Sequence, residues 1–389
     1  MQISYLHEFG LRRRFQAPIN RVMTMPTPTD GGFSSALIFE EDMSTRRKKR
    51  VHRPVYAPVF THPPSDAGQP DKVYLLVNPH SGKRRGRTIA QAVKTKLEAA
   101  GVEVDVSYSA YSGHLVTLSS SLVLNEGELI VAVGGDGTLC EVISGRMLLN
   151  PTRRERFAIV PAGTGNSQAH DLRLSSPDEA VEAILGGHHQ ALDLAKVELT
   201  EGLPGSEGDR IVRFSHNLVT WGLGVDSNIQ AEKMRWMGPL RYDVGILMAI
   251  LANRKRSATL TIDEETHTED FTLFLVQNSQ TGGSLLPLAP GASLDDGLMD
   301  IGILKRMSRR SVLKAFGMLK SEGRHVFHPS VDYHRFSTLC IETEQPTAIN
   351  VDGENLGSTP LKMEVLKHAV DIVVPAQNEK SEKSSSSSS

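Results

Sequence analysis

The stretch AVGGDGTLCEVISG, Ala132–Gly145, sets a single carboxylate, Asp136, among Gly134, Gly135 and Gly137, with an apolar run on either side. Glycines that follow a strand let backbone N–H groups approach an anion closely, and a helix opening at Thr138 adds its partial positive charge. Gly134, Gly135, Gly137 and Thr138 are therefore candidate phosphate-binding positions. A carboxylate in such a turn repels phosphate unless it holds a magnesium ion or accepts a proton from an incoming hydroxyl. The plainer alternative is a strand-to-helix turn in which Asp136 favours the bend. Glu141 also has two readings. Thr138-Leu139-Cys140-Glu141 has the spacing of a helix capping box, and the same carboxylate could approach a ribose hydroxyl or a metal.

Two further loops have the same character. NPHSGKRRG, Asn78–Gly86, follows one apolar strand, and PAGTGNS, Pro161–Ser167, follows another. Ligands of open α/β sheets bind at the carboxyl ends of the strands, so the three loops should converge. Other phosphate motifs fail on spacing. A Walker loop needs glycine where Val77 stands and Ser or Thr where Arg84 stands, and the third glycine of a dinucleotide fingerprint is replaced by Cys140. The protein-kinase motif set is absent.

The elements that must carry these loops read as follows. KVYLLVN, LIVAVG and FAIVPAG are nearly continuous apolar runs, the pattern of parallel strands buried on both faces. VEVDVSY alternates as a further strand, and HLVTLSSSLVL reads as a weak helix. RTIAQAVKTKLEAAG places Ile89, Val93 and Leu97 on one helical face, and TLCEVISGRMLL does the same with Leu139, Val142, Ile143 and Met147. Strand and helix alternate at βαβ spacing, which predicts an open parallel sheet covered by helices. After Asp193 the strands shorten and turn residues separate them (HNLVTWGLG, ATLTID, FTLFLVQN, LMDIGILK, FSTLCIET, AVDIVVP), which predicts a mainly antiparallel sandwich.

The formal net charge of the 389 residues is −2, which argues against a nucleic-acid partner, and two cysteines cannot build a disulfide framework. A reducing, cytoplasmic setting is expected. The N-terminal residues show no apolar core of signal-peptide length, and YDVGILMAILANRK is too short an apolar run to span a bilayer. Residues 1–70 are proline-rich and end in RPVYAPVFTHPPSDAGQP, which reads as a tether; within them RRKKRVHR, Arg46–Arg53, is either a solvated linker, a contact for an anionic membrane or a nuclear address. EKSEKSSSSSS reads as an unstructured tail.

NPHSGK, GGDGTLCEV and PAGTGNS, joined by WGLGVDSNIQAEKMRWMGPLRYDVG, LAPGASLDDGLMDIGIL and INVDGENLG, together resemble the diacylglycerol-kinase-type catalytic domain family, more closely its sphingosine and ceramide kinase branch. The resemblance implies ATP-dependent phosphoryl transfer to a primary hydroxyl of a lipid. It also implies an α/β nucleotide-binding domain of the NAD-kinase/diacylglycerol-kinase type followed by a β-sandwich. The expected organisation is an arm over 1–70, an ATP-binding catalytic domain over 71–192, a lipid-substrate sandwich over 193–376 and a tail over 377–389. By resemblance Asp136 matches the catalytic base. Asn78, Pro79, His80, the Ser109–Gly113 turn, Gly163, Thr164, Gly165 and Glu141 match nucleotide-contacting positions, which favours the functional reading of Glu141. Arg235 and Arg241 match triphosphate-contacting arginines. On one continuous helix they would diverge by about 240°, so an interruption at Gly238-Pro239 is expected to let two segments aim both at one phosphate chain. Asp352, Gly353 and Glu354 match an element near the nucleotide and its magnesium; a hairpin turn is the bland alternative. Asp296, in the Asp-Gly loop, matches a position that holds a structural magnesium in bacterial relatives, although DDG is also simply a good turn.

The pattern departs from sphingoid-base kinases at one place. Where they carry an acidic residue that reads the substrate amine, this chain has Asn228, with Asp226 two residues earlier. An amide cannot pair with an ammonium charge. The leading expectation is a sphingoid base, sphingosine-like, with Asp226 taking over; the alternative is a ceramide or diacylglycerol without an amine. The lipid tail needs an apolar cleft, for which YDVGILMAILA and SLLPLAP are candidates, and RRSVLKAFGMLK could add basic contacts at an anionic membrane to which the enzyme is peripherally bound. The rival from another class is a non-catalytic lipid or nucleotide sensor. Against it stand the intact Asp136, glycines and arginines.

Overall fold

The computed structural model describes residues 39–40, 53–54 and 56–376, apart from residues 164, 203, 205–207, 235–236, 238–239, 253, 255 and 284. Most of the expected arm, including nearly all of its basic run, and the Ser-rich tail lie outside the described residues.

Strand β1 (Lys72–Val77) is followed by helix α1 (Gly86–Ala99), β2 (Glu103–Tyr108), α2 (His114–Ser120), β3 (Leu129–Gly134), α3 (Asp136–Leu149) and β4 (Arg156–Pro161). β1, β2, β3 and β4 form a parallel sheet in the order β2-β1-β3-β4. Ile130, Val131, Ala132 and Val133 are all fully buried, as their unbroken apolar run requires of a strand covered on both faces. Helix α1 buries Ala90, Val93 and Leu97 against it, with Ile89 only partly covered. Helix α3 is enclosed nearly all round. Arg146, buried within it, forms a bidentate pair with Glu155 (2.7 and 2.6 Å) and donates to the carbonyls of Ser119 and Leu122. Those contacts fix the helix whose first residue is Asp136.

Two helices, α4 (Ser167–Asp171) and α5 (Pro177–Gly186), lead into β5 (His188–Glu201), β6 (Arg210–Ser215) and β7 (Leu218–Gly222). Next come α6 (Leu223–Lys233), α7 (Leu240–Ala252), β8 (Arg256–Ile262), β9 (Glu265–Gln277), β10 (Met299–Lys305), α8 (Arg309–Lys320), β11 (Val331–Phe336), β12 (Thr338–Glu342), β13 (Ala348–Val351) and β14 (Glu354–Val373). Strands β5–β13 pair antiparallel around a second core that includes Val197, Trp221, Leu260, Phe274, Ile301, Ile341 and Leu361, with Trp221 stacked on Phe274 at 4.6 Å. An α/β layer followed by a mainly antiparallel β-sandwich is thus the architecture.

Strand β14 joins the two parts. It pairs antiparallel with β5 from Gly357 to Val373 and, through its first half, with β12 and β13, while Asp371 and Ile372 also run parallel to β4. Val370, Ile372, Val373 and Val374 therefore bury in the first core. The sequence order hides this, since the closing strand of the α/β sheet comes from the far end of the chain.

The proline-rich run is also corrected in part. Residues 57–66 are a docked strap. Leu294 donates to the carbonyl of Val59, Ser293 to that of Pro58 and Gln280 to that of Ala57, and Ser65–Asp66 pairs with His188–His189. The buried carboxylate of Asp295 accepts from the backbone and hydroxyl of Thr61 and from the backbone of His62. Proline denies the strap a regular element, so these side-chain partners satisfy its backbone instead.

Candidate active site

The three glycine loops meet. Gly134 ends β3, and its carbonyl accepts the N–H groups of Ala162 (2.8 Å) and Gly163 (3.2 Å). A Cβ on Gly163 would stand 2.9 Å from the Cα of Gly135, and one on Gly82 would stand 2.1 Å from the carbonyl oxygen of Ala162. Gly82 moreover has φ +53°, a conformation that favours glycine. Only backbone fits where Asn78–Gly86 crosses 161–167. Asn78 donates from its backbone to Val133 and accepts the N–H of His80 on its side chain, Pro79 is buried beside it, and His80 is exposed. Ser109 donates to Val77, and Gly113, at φ +83°, opens α2. Thr138 is buried beneath the turn, its hydroxyl packed where a Cβ on Gly134 would fall.

Asp136 is the first residue of α3, with Gly135 at the N-cap. Its carboxylate accepts the N–H of Ser167 on Oδ2 and of Gln168 on Oδ1, both at 3.0 Å. Burial pushes its pKa up, against the pull of His216 and these two N–H groups, while the Asp352 charge adds to the rise. The result is a desolvated carboxylate held in one orientation at a helix N-terminus.

Glu141 does not form the capping box. Because α3 begins at Asp136, Thr138 lies inside the first turn and cannot be the cap. Glu141 instead caps the neighbouring helix, accepting the N–H groups of Gly113 (3.0 Å) and Leu115 (3.1 Å). Its carboxyl also meets that of Glu354. Burial and then the Glu141 charge push Glu354 up to about 7, and burial raises Glu141 as well, with the Arg213 guanidinium opposing both. Glu354 flanks Gly137, so the carboxyl pair borders the glycine turn.

Asp352 and Gly353, at φ +47° and +94°, form the hairpin between β13 and β14. The Asp352 carboxylate is buried and accepts from the Ser215 hydroxyl and from the backbone N–H groups of His216, Asn217 and Leu218. It is committed to the β6–β7 turn, which leaves Glu354 as the member of this element that faces the glycine loops.

The remaining expected residues are placed as follows. Gly165 precedes α4 in the third loop. Thr164 and Arg235 lie outside the described residues, and Asn228 and Arg241 are described only as members of α6 and α7. α6 ends at Lys233 and α7 begins at Leu240, so the two segments are separate helices. Asp226, on α6, pairs with Arg256 at 2.5 Å and lies 3.9 Å from Arg254. Asp226, Gln230, Met248, Ala249, Ala252 and Arg254 line a cleft of about 110 Å³. Asp296 is engaged by Arg335 on one oxygen and accepts the N–H of Leu298 on the other, so its carboxylate is not free for a cation. Among the described residues no cluster of three or more metal-ligating side chains occurs.

Sequence reading misses Gln168, Arg213 and His216. Gln168 follows the third loop directly, and its nearness to that loop is the one signal that could have found it. His216 and Arg213 sit in and before the β6–β7 turn, and nothing in their spacing ties them to Asp136 or Glu141.

Two family models match the chain: the diacylglycerol kinase catalytic domain over residues 72–197 and the YegS C-terminal NAD kinase β-sandwich-like domain over residues 217–374. A diacylglycerol kinase of Staphylococcus carnosus is 26% identical over 77% of this chain and 94% of its own length. Sphingosine kinase 1 of Arabidopsis thaliana is 27% identical over 74% of this chain and 69% of its own length. A diacylglycerol kinase structure from Bacillus anthracis shares the fold with a TM-score of 0.58, at 20% identity over 80% of this chain and 98% of that one. With both domain models in sequence, the glycine loops joined as described and kinases among its relatives, the chain belongs to the diacylglycerol-kinase-type family of lipid kinases.

Proposed function

We propose that this enzyme transfers the γ-phosphoryl group of ATP to a primary hydroxyl of a membrane lipid, with Asp136 as the base. The observation that carries this is the Asp136 carboxylate: desolvated, raised in pKa and aimed by two backbone N–H groups where three glycine loops leave room only for backbone. Backbone N–H groups of the glycine loops and the N-terminus of α3 receive phosphate oxygens. A raised pKa brings Asp136 closer to the basicity needed to take the hydroxyl proton as the new O–P bond forms.

Glu354 is the carboxyl proposed to meet magnesium, a hard oxygen donor beside the glycine turn, since both oxygens of Glu141 already accept backbone N–H groups at the start of α2. The ion, when bound with the nucleotide, offsets phosphate charge. Arg235 and Arg241 are proposed to bind the triphosphate from their two segments.

The lipid head is best read as lacking an amine, as in ceramide or diacylglycerol. Asp226, the carboxylate a sphingoid ammonium would need, is already neutralised by Arg256, and Arg254 adds a second positive charge. A sphingosine-like substrate requires Asp226 to leave Arg256.

Access to lipid is proposed to run through α7 and α8. Leu247, Met248 and Leu251 project from one face of α7 at 47%, 44% and 56% exposure, and Leu313 is exposed on α8 beside Arg309, Arg310 and Lys314. Apolar side chains beside cations suit the interface of an anionic bilayer, and no described helix is long and apolar enough to cross one. The test is transfer of labelled phosphate from Mg-ATP to sphingosine, ceramide and diacylglycerol in mixed micelles. Product from ceramide or diacylglycerol in excess over sphingosine supports the reading, and a preference for sphingosine overturns the head-group assignment.

A further inference from the structure

His216 closes a ring of hydrogen bonds around Asp136. The imidazole is fully buried in the β6–β7 turn, with Nε2 3.0 Å from the backbone oxygen of Asp136 and Nδ1 3.1 Å from Oε1 of Gln168. Gln168 in turn donates its backbone N–H to the Asp136 carboxylate. The turn itself is held by Asp352, which accepts the His216 N–H, and by Asn278, which donates to the His216 carbonyl. One side chain thus bonds the main chain of Asp136 and the residue that orients its carboxylate.

The chemistry of the ring nitrogens sharpens this. The Asp136 backbone oxygen can only accept, so Nε2 carries a proton. Nδ1 faces an amide oxygen, which calls for a second proton, while the Gln168 Nε2 is buried without a partner. Rotation of that amide would present its N–H to an unprotonated Nδ1 instead. Gln168 can therefore satisfy either charge state of the ring. The ionisable groups facing it are Asp136 from α3 and Asp352 from the hairpin, at 3.9 Å, with the Cys140 thiol next to Asp352.

We propose that His216 is a positioning residue for Asp136: it anchors the Asp136 backbone through Nε2–H and, through Gln168, the helix turn that aims the carboxylate. The proposal rests on the reading of Asp136 as the base. Losing a group that fixes a reacting atom costs about tenfold to hundredfold in rate. His216→Ala is therefore expected to lower kcat by that factor with little change in the KM for ATP, and His216→Gln, whose amide can donate to the same oxygen, to recover part of the loss. His216 also opposes the rise of the Asp136 pKa, so the acidic limb of the kcat–pH profile is expected to move to higher pH in His216→Ala. An unchanged kcat, or a loss matched by loss of folded protein in thermal melts with the limb in place, overturns the proposal. Nitrogen NMR of the histidine-labelled wild-type enzyme supplies a readout without turnover: the proton is expected to reside on Nε2 of His216, and a bare Nε2 overturns the proposal. That spectrum tests His216 even if Asp136→Asn stays active and the reading of Asp136 as base falls.

Discussion

The Asp226 carboxylate lies 2.5 Å from the guanidinium of Arg256, which itself sits over the ring of Trp221. The pair is mostly shielded, with 18% and 13% of the side chains exposed, so the acid is already spent. Replacing Arg256 by Met keeps the apolar stem and removes the close partner of Asp226, leaving only Arg254 at 3.9 Å. The variant is expected to turn over sphingosine better relative to ceramide or diacylglycerol, by about tenfold for one new charge-assisted bond. Competition assays with paired lipids measure that ratio, and an unchanged ratio removes Asp226 from head-group selection.

Glu354 gives the apo enzyme a pH-dependent penalty. Its folded pKa of about 7 stands above the ordinary 4.5, so the folded chain holds a proton that the unfolded chain has lost between those values. Stability therefore falls as pH rises from about 4.5 to 7 and stays reduced above. Glu354→Gln is expected to raise the melting temperature at pH 8 by a few degrees, about 1–3 kcal/mol, and to leave it nearly unchanged at pH 4.5. Melts in metal-free buffer at the two pH values check the sign.

The glycine loops and Asp136 are legible in the sequence because each loop is contiguous and each follows an unbroken apolar run. What stays hidden lies in contacts across the chain. His216 meets Asp136 across 80 residues, through a turn whose shape depends on a carboxylate from a hairpin far downstream. Glu141 has the spacing of a cap, yet the cap it makes serves α2, which only the packing of α2 on α3 brings within reach. The strap over 57–66 reads as a tether because proline removes periodicity, while its partners, Asp295, Ser293 and Gln280, lie more than 200 residues away.

The exposed face of α7 has a separable role. Replacing Leu247 and Leu251, which lie outside the Asp226 cleft, together by Ser is expected to weaken binding to anionic vesicles by about tenfold or more, since each large apolar side chain that enters the interface contributes about 1–2 kcal/mol. Activity toward a short-chain, water-soluble lipid should persist. Sedimentation with vesicles and the soluble assay separate the two effects, and unaltered vesicle binding would place the membrane contact elsewhere.

Removal of the hydroxyl proton by Asp136 is the step on which the proposed chemistry turns. The most direct measurement compares wild type and Asp136→Asn for phosphate transfer from labelled ATP to sphingosine, ceramide and diacylglycerol, with ATP affinity measured on the same preparations. Loss of a general base predicts a fall in transfer of about a hundredfold to ten-thousandfold. Nucleotide affinity should change little, because the glycine loops that receive the phosphates are untouched. Full transfer by Asp136→Asn would contradict the assignment of Asp136 as the base.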